Sequence, residues 1–169
     1  MFHIVLSRIF WFLLLAFLQA VIFNHVHILG YATPLPYIYA LLILPSNTPR
    51  WLYIFAGFLL GLSIDTCTNT PGMAAAATTA SGLVVPWLLK AFGPKDLGEE
   101  DTLRPNHHIM NWGPFLRYAF CAVTLQCVLF FVIEAFSFFE PLDLLLNILG
   151  SIVITMIFIV IFELIRNES

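Results

Sequence analysis

Asp65 is the side chain in this sequence whose chemistry most needs a reason. It sits in GFLLGLSIDTCTNTPG (57–72), after an apolar run and just before Thr66, Thr68, Asn69 and Thr70. A charge placed in hydrocarbon costs at least ~2.5–3.5 kcal/mol. Three roles fit the residue types. Asp65 can cap a helix or turn, because Asp, Asn and Thr bond readily to nearby backbone. It can make a helix contact or a partner contact. Gly57, Gly61 and Asp65 are four apart, drift only ~40° per step and so share one stripe. Gly57-x-x-x-Gly61 lets a neighbouring backbone come close, and AAAATTASG (74–82) offers a matching small-residue face. A proton or ion relay ranks last, because relays recruit several intramembrane carboxylates and this chain offers few.

The other reactive side chains form no catalytic set. Glu134 and Glu163 fall near the ends of predicted helices, where an interfacial position is expected for both. His25 and His27 are spaced i, i+2, a poor metal spacing on a helix, and read as interfacial loop. His107 and His108 read as solvated loop residues. There is no Ser/His/Asp arrangement, HExxH motif, Gly-rich phosphate loop or DxD pair. Gln19 and Gln126 are expected to make interhelical hydrogen bonds. Cys67, Cys121 and Cys127 lack metal or redox spacing, and Cys121 and Cys127, six apart in an apolar run, read as packing residues. No catalytic, cofactor or metal site is expected.

The elements that position these residues follow from composition. The 169 residues are 60% hydrophobic and 10% charged, against roughly 25% charged in soluble domains. Such a chain cannot cover a water-facing surface. The expected class is an all-α polytopic membrane protein forming one domain over 1–169. Helices are predicted near 8–28, 35–46, 50–66, 71–91, 113–136 and 141–165. TPLPY (33–37), ILPSNTPRW (43–51) and TPG (70–72) supply the breaks. The opening MFHIVLSRIFWFLLLAFLQAVIF lacks a small-x-small cleavage site and reads as a retained helix. Segment 35–46 is short for a bilayer that needs about 20 residues, so it is extended by its flanks, tilted or buried among neighbours. Residues 92–112 make the one sizeable loop. The net charge of −3 points to no polyanionic partner.

Charge bias orients the bundle. All seven basic residues (Arg8, Arg50, Lys90, Lys95, Arg104, Arg117 and Arg166) fall on the cytoplasmic side if six helices cross and both termini are inside. Fusing 35–66 into one span would strand the Lys90–Arg117 group outside. The outer face would then carry only 24–34, 66–71 and 137–141, too short for a domain.

With these features in place, residues 36–90 (PYIYALLILPSNTPRWLYIFAGFLLGLSIDTCTNTPGMAAAATTASGLVVPWLLK) resemble the MreD family of rod shape-determining proteins. The shared pattern is a short apolar helix, a Pro/Arg turn, then G-x-x-x-G-L-x-x-D, a turn and a glycine leading into a small-residue helix. Here it is carried by Gly57, Gly61, Leu62, Asp65 and Gly72. The resemblance implies a non-enzymatic subunit of the bacterial elongation complex in the cytoplasmic membrane. Such a subunit binds MreC and helps couple MreB filaments to peptidoglycan synthases, needing no cofactor. Gly57, Gly61, Asp65 and Gly72 would be helix-packing or partner-contact residues. The family's fold is similar to the six-helix substrate-binding subunits of energy-coupling-factor transporters. That leaves a second expectation open: a binding subunit for a vitamin or a lipid-linked cell-wall intermediate.

Overall fold

A computed structural model describes residues 10–15, 17–18, 21, 33–69, 72–94, 105–135 and 141–167, and these are helices and connecting turns with no strand among them. Residues 10–15, 17–18 and 21 are helical. A 3-10 turn, Pro36–Ile38, runs into the short helix α1, Tyr39–Leu42. Then follow α2 (Arg50–Thr68), α3 (Met73–Phe92), the one-turn α4 (His107–Met110), α5 (Trp112–Glu134) and α6 (Pro141–Asn167). The remainder of the predicted first helix, most of the predicted loops 24–34 and 137–141, and the basic residues Arg8, Lys95 and Arg104 lie outside the described residues.

Four helices (α2, α3, α5 and α6) are long and apolar enough to cross a membrane. Their bounds lie within a few residues of four predicted spans. Their outward faces are greasy: Leu142, Leu149, Val153 and Ile157 on α6 are each more than half exposed. In water such a continuous apolar face would aggregate. A bilayer is the solvent it fits.

The predicted span at 35–46 takes a different form. Its helical part, Pro36–Leu42, is only seven residues long, about 12 Å at the usual rises of the two helix types. It sits in the middle of the bundle, with Tyr37, Ile38, Tyr39, Leu41 and Leu42 fully buried. Helices α2, α3, α5 and α6 pack around it.

A short helix inside a bundle leaves backbone groups that water cannot reach, and each must find a protein partner. Here they do. The Thr33 amide donates to Ser151 Oγ (3.1 Å) and the Leu35 amide to Thr155 Oγ1 (3.0 Å). Pro34 between them and Pro36 after them have no amide hydrogen to satisfy. At the other end, Tyr118 Oη donates to the Leu42 carbonyl (3.2 Å). Tyr53 Oη lies within 2.9 and 3.1 Å of the Leu44 and Pro45 carbonyls. The TPLP sequence, two hydroxyls on α6 and two tyrosines therefore make this buried segment possible.

Candidate functional site

The helix pair α2/α3 is built on glycine. A Cβ added at Gly57 would stand 2.5 Å from the Thr78 carbonyl oxygen, and one at Gly61 only 2.4 Å from Ala75 Cα. From the other side, a Cβ at Gly82 would meet the Tyr53 carbonyl oxygen at 2.5 Å. Three glycines on two helices thus hold the backbones together along one seam. Gly72 differs. Among the described residues nothing lies within 4 Å of the position its Cβ would take, and its φ is +86°. It is a left-handed turn residue, a conformation that only glycine adopts without steric cost.

Asp65 closes the seam. It is 5% exposed, and its two carboxylate oxygens accept separately, Oδ1 from the Ala74 amide (3.0 Å) and Oδ2 from the Ala75 amide (2.9 Å). The residue at the N-cap of α3 is Gly72, which has no side chain to offer. Asp65 on the preceding helix supplies the missing cap. Its charge also faces the positive end of the α3 dipole. The capping and helix-contact roles are one and the same here. Asn69, in the left-handed conformation (φ 56°), terminates α2 and turns the chain. Thr70 and Pro71 lie outside the described residues.

A second buried carboxylate lies on α6. Glu163 is fully buried on α6, which corrects the expectation of an interfacial position. Its Oε2 accepts from Tyr39 Oη (2.6 Å), and its Oε1 accepts from the His107 amide (3.0 Å) and from Arg166 Nη2 (3.0 Å). His107 Nδ1 is 3.3 Å from the same oxygen, and Arg166 Nη2 also donates to the Pro105 carbonyl (2.7 Å). The Arg166 guanidinium lies 5.7 Å from the centre of the Tyr39 ring. His107 is likewise not the solvated residue expected: its side chain is 9% exposed and its ring stacks on Trp112 at 4.3 Å. His108 is exposed, as is Glu134.

A third polar link is buried in the bundle. Ser81 Oγ donates to Gln126 Oε1 (2.6 Å), and Gln126 Nε2 donates to Tyr37 Oη (2.8 Å). This joins α3, α5 and the central 3-10 turn by the interhelical hydrogen bond expected of Gln126. Gln19, His25 and His27 lie outside the described residues.

Little in the sequence marked the Glu163 cluster. Its members come from Tyr39, His107, Glu163 and Arg166, and only the last two are close in sequence. Glu163 and Arg166 are one helical turn apart, a spacing that does pair charges, and that was the one legible hint. Among the described residues no group of three or more His, Cys, Asp or Glu is placed to hold a metal ion. The hydrogen bonds above tie α3, α5, α6 and the central segment to one another. No family model, curated protein or solved structure matches this chain.

Proposed function

We propose that this chain is a non-enzymatic integral-membrane subunit of the bacterial cell-elongation complex, of the MreD type. In this reading it binds MreC and helps couple MreB filaments to peptidoglycan synthesis. It crosses the cytoplasmic membrane six times with both termini inside, the buried 33–45 segment serving as the second, abbreviated crossing. One observation supports the reading. The residues that carry the resemblance, Gly57, Gly61, Asp65 and Gly72, all build one helix hairpin. Their chemistry there is architectural, as a scaffold subunit requires.

Co-purification from detergent-solubilised membranes tests the reading. MreC and cell-wall synthases should accompany the tagged chain. Recovery of a transporter ATPase pair in their place would assign it to the substrate-binding class. Reporter fusions test the topology. Those after Asn47, Leu97 and Ser169 should report cytoplasm, and those after His27, Asn69 and Phe139 the opposite side. An outside signal from residue 97 would overturn six crossings.

A further inference from the structure

The outer face of the α2/α3 hairpin carries a shallow groove of about 420 Å³ lined by Trp51, Ile54, Phe55, Phe58 and Thr79. Its walls are aromatic and aliphatic. The single hydroxyl, that of Thr79, already donates to the Ala75 carbonyl within its own helix (2.5 Å). A greasy trough of this kind along a membrane helix pair suits a hydrocarbon chain. Charge lies beside the Trp51 end of the groove. Exposed Arg50 adjoins Trp51, and its guanidinium lies 5.8 Å from the centre of the Trp87 ring. Lys90, also exposed, follows Trp87 by one turn of α3. Arg50 beside the groove-lining Trp51, Trp87 against its guanidinium and Lys90 one turn further along α3 match the boundary between acyl chains and headgroups.

We infer that this groove binds one anionic phospholipid, its acyl chain against Ile54, Phe55 and Phe58 and its phosphate at Arg50 and Lys90. The inference does not depend on the function proposed above.

Native mass spectrometry on the full chain in mild detergent tests it, with phosphatidylglycerol and phosphatidylcholine of identical acyl chains supplied in equal amounts. The wild type should retain phosphatidylglycerol in at least about fivefold preference, and Arg50→Gln and Lys90→Gln should each weaken that retention about fivefold, the effect of one cation near an anionic surface. Ile54→Trp fills the groove, leaves both cations and should lower the retention of both lipids. Equal retention of the two lipids by the wild type overturns the proposal. So does an Ile54→Trp variant that keeps wild-type amounts and preference. Arg50→Gln changes an exposed side chain only, so it decides the matter should Ile54→Trp fail to fold.

Discussion

Asp65 and Glu163 are both buried carboxylates, but they are satisfied in opposite ways. Asp65 takes two backbone amides nine and ten residues downstream, across a single hairpin. Glu163 gathers a phenol 124 residues away, a backbone amide 56 away and a guanidinium on its own helix. The first needs only that two helices meet. The second exists only when α1, the segment before α5 and the end of α6 have all arrived. Asp65 is therefore a device of local architecture, and Glu163 a clasp of the finished bundle.

That contrast can be broken at its strongest point first. Gly61→Leu would drive a side chain into the backbone at Ala75 and separate α2 from α3. Overpacking usually costs 1–3 kcal/mol, and backbone cannot yield as side chains do, so about 3 kcal/mol or more is expected. The measured result should be loss of monodisperse protein on size-exclusion chromatography. A Gly61→Leu chain with normal abundance and a normal elution profile would mean that the seam does not hold the hairpin.

Asp65→Leu comes next, since it orphans two buried amides at about 1–3 kcal/mol each. Asp65→Asn is the sharper variant. An amide keeps one acceptor but turns an NH2 towards the second backbone donor, so about 1–3 kcal/mol is still lost. Thermal unfolding in detergent should rank wild type above Asn and Asn above Leu. An Asn variant as unstable as Leu would show that the negative charge, and not the acceptor count, is what α3 requires.

At Glu163, replacement by Leu strands the Tyr39 hydroxyl and the His107 amide, and about 2–4 kcal/mol is expected. Glu163→Gln keeps one acceptor and should cost less. The two carboxylates should also differ in where the damage appears. Hydrogen exchange should rise at 105–110 for Glu163→Leu, and at 73–76 for Asp65→Leu. Faster exchange in both regions for either variant would merge the two devices into one cooperative unit.

The smallest effects come from single supports. Tyr118→Phe removes the donor to the Leu42 carbonyl and should cost about 1 kcal/mol. Gly72→Ala meets no neighbour, so only the left-handed backbone is penalised, by about 1–2 kcal/mol. A Gly72→Ala loss as large as that of Gly61→Leu would return Gly72 to the packing surface.

Much of this could be read along the chain. Apolar runs and proline breaks located α2, α3, α5 and α6, because a bilayer forces each crossing to satisfy its own backbone within a helix of fixed length. The i, i+4 spacing of Gly57, Gly61 and Asp65 put them on one stripe, because helical periodicity is a local property. Other features needed three dimensions. That Gly72 turns the chain while Gly61 packs depends on a φ angle and on a neighbour, neither of which residue type alone records. Segment 33–45 is too short for an ordinary span, and which of its alternatives it takes, burial among its neighbours, was decided by the fold, because the hydroxyls that satisfy its ends belong to Ser151, Thr155, Tyr53 and Tyr118. Glu163 looked interfacial near its helix end, yet it is buried because Tyr39 and His107 come to it. Hydropathy along one helix registers how much a segment avoids water, but the partners that let a charge leave water are brought by the fold.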